Sequence, residues 1–339
     1  MSTITTRKGR MSSVELPEDL RYAIELELSH FSPKKLSKIV SDLSNRYRTR
    51  KEPRGQSFIR SKEDVYAYAA FRMPATFAAV YSALKQMKEG LEDWAPHSLL
   101  DVGAGPGTVM WAANEIYPSL NTITLLEREE GMIALGKRLA KHSSSISIKH
   151  AKWVKTDITV QWETSAHDLV IASYVLGELS EQDRHHFVQK LWEVTKGTLL
   201  IIEPGTPAGF SRIRQARKQL IDAGALITAP CTHPFPCPMP DDNWCHFSQR
   251  ISRSRLHRQV KFGELSYEDE KFSFIAVSRE KGKVFEGRIL RHPQVRKGHI
   301  IFEICSSDGI SNQVISRKDK ELYRYAKGLS WGSTFEADK

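Results

Sequence analysis

One short run of the chain joins an apolar strand to a helix through a glycine-rich turn. Residues 98–102 have the apolar character of a buried strand, and residues 108–116 have the pattern of a helix. Gly103, Gly105 and Gly107 lie between them. Glycine is needed where a Cβ would block a turn or the close approach of a ligand. The run therefore predicts an α/β domain that holds a nucleotide-like ligand at this turn.

An acidic residue stands at the end of that strand, and the glycine spacing is not the dinucleotide pattern. The order is Asp101-x-Gly-x-Gly-x-Gly, whereas dinucleotide folds use G-x-G-x-x-G. It is typical of the first motif of class I S-adenosylmethionine (SAM) methyltransferases. SAM has a cationic sulfonium and no pyrophosphate, so a carboxylate such as Asp101 suits its site. The alternative is a strand–helix turn without a ligand.

Strands and helices alternate along residues 98–203, with strands predicted at 98–102, 122–126, near 145–150, 168–174 and 198–203. Right-handed crossovers make such strands parallel, and ligands then bind at their carboxyl ends. Glu127 is expected to hold the ribose hydroxyls and Asp157 the adenine amino group. The remaining candidates at these ends are Ser173 for the cofactor, Tyr174 and Glu178 for positioning a substrate, and Glu203. A core tyrosine and a glutamate in the first turn of a helix are the alternatives for Tyr174 and Glu178.

The predicted fold is α/β, a Rossmann-like class I SAM-methyltransferase sheet between two further regions. Residues 1–90 are expected to form a helical N-terminal region, with a break or kink at Pro74. Residues 91–228 form the SAM-binding domain. Residues 229–339 form a cysteine-rich, metal-stapled and β-rich C-terminal region, with strands predicted at 272–277, 284–291 and 299–305.

Charge is unevenly distributed in the chain, whose 339 residues carry a net charge of +10. The first 60 residues hold 13 Lys and Arg against 7 Asp and Glu, and residues 246–339 hold 19 against 12. Basic ends on a slightly acidic middle favour a polyanionic partner such as RNA over an ordinary solvated surface. No apolar run approaches the roughly 20 residues of a membrane helix. We therefore expect no membrane partner and a cytoplasmic location.

Three of the four cysteines lie close together in a proline-rich segment. Cys231, Cys237 and Cys245 have the spacing C-x5-C-x7-C, and Cys305 follows 60 residues later. Prolines stiffen a loop and so pre-place metal ligands. Four thiolates fit either zinc or an iron–sulfur cluster, and gaps wider than the usual zinc spacing favour a cluster.

Other interpretations of this segment remain open at this stage. His233 and His246 are alternative metal ligands. Disulfides are not expected in a cytoplasmic chain. Unconnected buried thiols are a further alternative. Cys231 or Cys237 could also be the nucleophile of a cytosine-C5 RNA methyltransferase.

The chain resembles the small-ribosomal-subunit methyltransferase-like family, the bacterial relatives of mitochondrial methyltransferase-like protein seventeen. The resemblance covers roughly residues 60–310 and is carried by the motifs at 72–76, 101–107, 173–179, 203–207 and 292–298 and by the cysteine-rich segment. It implies a SAM-binding fold in which Asp101, Gly103, Gly105 and Glu127 line the cofactor. It also implies association with small-subunit ribosomal RNA in the immature subunit, in the mitochondrial matrix if the source is eukaryotic. A further implication is a [4Fe-4S] cluster on the four cysteines, Cys231, Cys237, Cys245 and Cys305.

Three functions remain open from the sequence. The first is a SAM-dependent methyltransferase of small-subunit ribosomal RNA, expected to be a monomer. The second is a SAM-binding ribosome-assembly factor without turnover. Base-amino methyltransferases carry a Pro-Pro-aromatic motif after the fourth strand, and this chain has Ser173-Tyr-Val-Leu there. The third is a zinc-containing small-molecule methyltransferase.

Overall fold

The computed structural model describes residues 13–49, 59–160, 162–253 and 265–336. Some of the basic residues counted above at the two ends of the chain, among them Arg7, Arg54 and Arg258, lie outside the described residues. Within the described ranges, every helix is too short or too polar to cross a lipid bilayer.

Nine α-helices occur in the described residues, together with one turn of 3₁₀ helix at Leu176–Glu178. They are α1 Glu18–Leu28, α2 Pro33–Thr49, α3 Lys62–Gly90, α4 Thr108–Ile116, α5 Glu130–Ala140, α6 Ile146–Lys149, α7 Glu181–Glu193, α8 Pro207–Asp222 and α9 Lys320–Ala326.

The described strands number fourteen and form two sheets. They are β1 Ser13–Val14, β2 Ser98–Val102, β3 Thr122–Glu127, β4 Lys152–Lys155, β5 His167–Ser173, β6 Thr195–Pro204, β7 Leu226–Ala229, β8 Phe247–Ser252, β9 Tyr267–Ser278, β10 Gly287–Ile289, β11 Gln294–Arg296, β12 His299–Ser306, β13 Gly309–Ser316 and β14 Thr334–Phe335.

The larger sheet has the strand order of a class I methyltransferase. Strands β4, β3, β2, β5 and β6 are parallel neighbours in that order. The long strand β9 runs antiparallel to β6, and its other edge pairs with β7 and β8. Reversal of the strand order beside β2 creates a crevice at the carboxyl ends of β2 and β5, where ligands of such sheets bind. The predicted Rossmann-like α/β fold is confirmed.

Strands from all three predicted regions enter this sheet. β1 from the N-terminal region pairs with β8, and β8 and β9 come from beyond residue 228. The strand predicted at 272–277 therefore belongs to the main sheet and not to a separate appendage. The sheet crosses the boundaries predicted at residues 90 and 228.

One local prediction was wrong, and the break that was the first alternative expected at Pro74 does not occur. The strand predicted near 145–150 is the short helix α6, and the edge strand β4 follows it. The alternating Ile146 and Ile148 mimic a strand, but only Ile148 is buried, against the sheet. Helix α3 also continues through Pro74 without a break. Its 29 residues are held by packing, because most of the side chains from Val65 to Met87 are buried against the sheet and α4.

The smaller sheet has five strands in the order β11, β12, β10 and β14, with β13 on β12. Its core contains Phe302, Ile300 and Ile304, which α9 and Phe335 cover on one face. On the opposite face of the antiparallel pair β10 and β12, Arg288 stands directly across from Cys305. Side chains paired in this way share a face, so both point toward the main domain.

Candidate functional site

The glycine turn after β2 has the left-handed backbone that the sequence predicts. Gly103, Gly105 and Gly107 have φ angles of 76°, 54° and 80°. A Cβ on Gly103 would lie 2.6 Å from Cγ2 of Val175. Only glycine meets both requirements without strain. The turn therefore brings bare backbone to the crevice beside β5.

The Glu127 carboxylate is fixed by two backbone amides at the end of β3. Its Oε2 accepts from the Gly105 amide at 2.7 Å, and its Oε1 accepts from the Glu129 amide at 2.8 Å. Burial raises the pKa of Glu127, and these amide hydrogen bonds partly oppose that shift. Each oxygen keeps a lone pair for a further donor. The arrangement is suited to two vicinal hydroxyl groups.

A cavity opens at the carboxyl ends of β2, β3 and β5, between the glycine turn and α3. Three acidic and two basic side chains contribute to its wall, and they are Glu127, Glu129, Glu178, Arg72 and Arg128. The excess of one carboxylate favours a ligand with net positive charge. The other lining residues of the described chain are Ile59, Tyr68, Gly103, Gly105, Met132, Thr156, Ile158, Thr159, Ser173, Tyr174, Val175 and Leu179.

Three of the predicted cofactor residues lie outside this lining. Asp101 is fully buried, and burial raises the pKa of its carboxyl well above the usual range. The Asp157 carboxylate accepts hydrogen bonds from the backbone amide and the hydroxyl of Thr159, which lies in the same loop. Gly107 begins α4 and packs near Trp153. These residues shape the turn and the adjacent loop, while Gly103, Gly105, Glu127 and Ser173 reach the cavity.

Tyr174 occupies the first position after β5 and has a φ of 63°. Its hydroxyl donates to Oε1 of Glu270 at 3.0 Å, and the Arg72 guanidinium lies 4.6 Å from the ring centroid. Arg72 also forms an ion pair of 3.0 Å with Glu270. Burial raises the pKa of Tyr174 well above its usual range. The hydroxyl is therefore a neutral donor that is engaged by the protein itself.

The sequence interpretation did not assign Arg72 or Glu270 to the site. Arg72 comes from α3, and Glu270 comes from the half of β9 that extends beyond β6. Both are brought to the end of β5 by tertiary packing. The only signal in the sequence was the motif at 72–76, which carried the family resemblance without a role.

Glu178 lies at the mouth of the cavity, where its side chain is 47% exposed. Partial burial raises its pKa to about 7, and the nearby carboxylates of Glu127 and Glu203 add to this effect. Arg128 approaches it at 4.0 Å. Glu203, in contrast, is fully buried and accepts from Nε of Arg212 at 2.6 Å. Glu178 is thus the carboxylate in this group that titrates near neutral pH.

A second cavity brings together all four cysteines. Cys231, Cys237, Cys245 and Cys305 line it, although the last is 60 residues from the third in the chain. Residues from α8, β9 and β10 complete the wall, including Arg217, Arg288, Phe210 and Leu290. All four cysteines are free thiols.

Side chains from several elements hold residues 230–246, the cysteine loop, in place. Arg217 donates to the carbonyl oxygens of His233 and Phe235 at 2.9 and 2.7 Å. Ser273 donates to the Cys245 carbonyl at 2.7 Å. Trp331 donates to the His246 carbonyl at 3.0 Å. A loop with so many external partners is pre-organised before any ligand binds.

The four predicted metal ligands line one cavity, but their arrangement does not by itself define a metal site. In the described part of the chain, no three His, Cys, Asp or Glu side chains form a group compact enough to hold one metal ion. Burial raises the pKa of Cys245 well above the usual range, and the three other thiols add to this effect. His233 lies 3.9 Å from the Cys305 sulfur through Nε2, and His246 stacks on Trp244.

Comparison with known protein families gives one match over most of the chain. The family described as mitochondrial small ribosomal subunit Rsm22 matches residues 62–336. The human protein "Ribosome assembly protein METTL17, mitochondrial" is 29% identical over 78% of this chain and 61% of its own length. The fission yeast "Rsm22-cox11 tandem protein 2, mitochondrial" is 26% identical over 80% of this chain and 43% of its own length. The resemblance drawn from the motifs is confirmed.

This chain spans about three-fifths of the human relative and less than half of the fission yeast relative. Among solved structures, the magnesium protoporphyrin IX methyltransferase of Synechocystis PCC 6803 is similar at 12% identity. The match covers 74% of this chain and 98% of that one, with a TM-score of 0.41.

Proposed function

Because the chain belongs to the family of the mitochondrial small ribosomal subunit protein Rsm22, we propose that it is a SAM-binding, methyltransferase-like protein. It acts on small-subunit ribosomal RNA during ribosome assembly. The observation that carries the proposal is the Glu127 carboxylate, held by two amides at the crevice of a class I sheet. The relatives' names as ribosome-assembly proteins support the ribosomal role.

The charges and shape of the cavity support SAM as its ligand. The Glu127 oxygens suit the ribose hydroxyls, and Gly103 and Gly105 leave room for the methionine part against the backbone. Glu178 and Glu129 place negative charge where a sulfonium gains from it, while Arg72 and Arg128 suit a carboxylate. Asp101 lies behind the turn, so we propose that it supports the turn rather than contacting SAM.

Calorimetric titration with SAM and with S-adenosylhomocysteine tests this assignment. We expect saturable binding of both at one site per chain. As a matched control, Glu130→Gln removes a neighbouring carboxylate that is exposed and pairs with Lys155. We expect this variant to bind both ligands as the unaltered chain does. Failure of the unaltered, folded chain to bind either ligand would refute the SAM assignment.

Methyl transfer is a separate question, because the engaged Tyr174 favours a factor without turnover. Its hydroxyl already donates to Glu270, and Arg72 covers its ring. A substrate base would have to displace these contacts before Tyr174 could orient it. If the chain is an enzyme, positioning of the acceptor in line with the sulfonium would supply most of the rate.

Incubation with methyl-labelled SAM and isolated immature small subunits separates the two functions. Label in the ribosomal RNA that Glu127→Ala abolishes would identify a methyltransferase. Binding of SAM and of subunits without label in the RNA would identify a non-catalytic assembly factor. Label transferred only to small molecules would contradict both.

The cysteine cavity fits a [4Fe-4S] cluster by its donors. Four thiols from two distant segments surround one apolar space, and the loop carrying three of them is held from outside. A tetrahedral zinc ion at about 2.3 Å from each sulfur needs four sulfurs within about 4 Å of one another. The described side chains form no group compact enough to hold a single metal ion, and the gaps C-x5-C-x7-C, which are wider than the usual zinc spacing, favour the larger cluster. Bound there, it would cross-link the cysteine loop to β12 and supply a one-electron redox centre.

Metal analysis after anaerobic purification tests this part. We expect about four iron and four sulfide per chain, with broad visible absorbance. If the analysis instead gives one equivalent of zinc per chain and no visible absorbance, the site is a structural zinc site and not a cluster.

A basic tip on the smaller sheet supports RNA as the partner. Arg296 and Lys297 form the β11–β12 turn, and Arg317 and Lys318 follow β13, whose end pairs beside that turn. All four side chains are exposed. Arg317 donates its backbone amide to the Gly298 carbonyl at 2.8 Å, which keeps the two pairs adjacent. Closely spaced cations on a stable turn are suited to phosphate groups.

Salt titration of RNA binding tests the role of this tip. Changing its four cations to Gln should weaken binding to small-subunit RNA and reduce the slope of log affinity against log salt by about 3, since each lost phosphate contact removes about 0.7–0.9. Lys137→Gln with Lys141→Gln removes exposed cations from α5 and from the residue that caps its C-terminus, and should leave the slope unchanged. Equal effects of both sets would contradict a specific role.

A further inference from the structure

Two buried arginines face the cysteine cavity, and each retains a donor without a partner. Nε of Arg217 and Nη2 of Arg288 are buried and make no hydrogen bond within the described chain. Both residues line the cavity with the four cysteines. Arg288 is 1% exposed and Arg217 is 6% exposed. Buried charged groups normally have all their donors satisfied.

The other donors of these arginines position them firmly. Arg288 donates from Nε to the Pro230 carbonyl at 2.9 Å and from Nη1 to the Gly332 carbonyl at 2.8 Å. Its Nη1 also meets Glu89 at 3.2 Å. Arg217 donates to the carbonyl oxygens of His233 and Phe235, and its side chain also hydrogen-bonds Cys231. A neutral carbonyl does not cancel a guanidinium charge, so the cavity wall is positive.

This positive charge acts on the cysteine thiols. The Arg217 side chain is hydrogen-bonded to Cys231, and the Arg288 charge also acts on this thiol. Arg288 also stands directly across from Cys305 in the register of β10 and β12. The two guanidiniums therefore lie beside cysteines of both segments.

We propose that Arg217 and Arg288 are the counter-charges and N–H···S donors of the cluster assigned above. This inference rests on the proposed cluster. A [4Fe-4S] core with four thiolates carries two net negative charges, and three after one-electron reduction. Two guanidiniums balance the oxidised form, and their unpartnered donors are satisfied by its sulfurs. Because the reduced form carries more negative charge, the arginines favour reduction and raise the midpoint potential.

The test compares variants of the full chain purified anaerobically. Redox titration monitored by electron paramagnetic resonance gives the midpoint potential, and iron and sulfide analysis gives cluster content. In Arg217→Gln the ratio of reduced to oxidised cluster at a fixed potential should fall about tenfold or more, equivalent to a shift of about 59 mV to lower potential. Arg217→Lys keeps the charge and should shift the ratio less than threefold.

Two further variants make the test specific. Lys218→Gln removes one charge from the adjacent position of α8, where the side chain is 79% exposed and pairs with Asp222. It should leave the potential unchanged. Glu89→Gln removes the carboxylate that partly neutralises Arg288. It should move the potential in the opposite direction, upward.

The outcomes separate the two assignments. A chain with iron and sulfide whose potential is the same in Arg217→Gln and Lys218→Gln would overturn the arginine assignment and leave the cluster intact. Equal loss of the cluster in Arg217→Gln and Arg217→Lys, with the fold retained by circular dichroism, would also overturn it. That result would show that only the carbonyl contacts of Arg217 matter. A chain that binds zinc or no metal would overturn the cluster itself.

Discussion

Glu127→Gln is the change that tests the SAM cavity most directly. The carboxylate accepts from the amides of Gly105 and Glu129, one on each oxygen. A glutamine has one oxygen, so its NH₂ group must face one of these amides or turn to the ribose side. In either orientation one hydrogen bond to a charged acceptor is lost, and such a bond contributes about 1.5–3 kcal/mol. SAM affinity should therefore fall about 10- to 150-fold.

The ligand pair provides an internal check on this reasoning. SAM and S-adenosylhomocysteine share the ribose and differ in the charge at sulfur. If Glu127 binds the ribose, calorimetry should show the same fold-loss for both ligands. The free energy of unfolding should fall by no more than about 3 kcal/mol, because a buried neutral amide costs less than a buried carboxylate. Glu130→Gln should change neither quantity. Affinities within twofold of the unaltered chain would refute the ribose assignment, and a loss confined to SAM would assign Glu127 to the sulfonium instead.

Three further changes address the turn, the cavity mouth and the cysteines. Glu178 has a pKa of about 7, so it becomes anionic as the pH rises from 6 to 8. The ratio of the affinity for SAM to that for S-adenosylhomocysteine should therefore rise about three- to tenfold over that range. A rise that persists in Glu178→Gln would contradict this. Gly103→Ala places a methyl group 2.6 Å from Val175 at a positive φ, and thermal denaturation should show a loss of about 1–3 kcal/mol together with weaker SAM binding. Cys305→Ser should release metal and lower the stability of the smaller sheet, because metal binding and folding are coupled. Equal metal content in Cys305→Ser and in the neighbouring control Ser306→Ala would exclude Cys305 as a ligand.

Local signals in the sequence predicted the first strand, turn and helix correctly. β2 and α4 have the predicted bounds, and Gly103, Gly105 and Gly107 all have positive φ. Such a turn is dictated by sterics within a dozen residues. The predicted strand near 145–150 failed because an alternating apolar pattern of six residues is compatible with one helical turn. In this case the packing of Ile148, and not the local pattern, decided the outcome.

Groups that meet only through tertiary packing could not be predicted in this way. Arg72 and Glu270 are nearly 200 residues apart, and they meet at Tyr174 because α3 and β9 pack at the same end of the sheet. The four cysteines could be predicted as a set from composition and spacing. The positions of Arg217 and Arg288 beside them could not be predicted. From the sequence alone, an arginine in α8 or β10 cannot be distinguished from an ordinary surface charge.

The two cavities differ in how completely the chain satisfies its own polar groups. In the cavity proposed to bind SAM, both oxygens of Glu127 accept hydrogen bonds from backbone amides, and the Tyr174 hydroxyl donates to Glu270. These wall residues are therefore hydrogen-bonded without a ligand. At the cysteine cavity the four cysteines are partly buried, and Arg217 and Arg288 each keep a buried nitrogen that makes no hydrogen bond with the described residues. Buried charge and unmet donors cost free energy that an anionic group in that space would offset. If the proposed cluster binds there, the stability of the smaller sheet, which holds Cys305 and Arg288, includes the free energy of binding it.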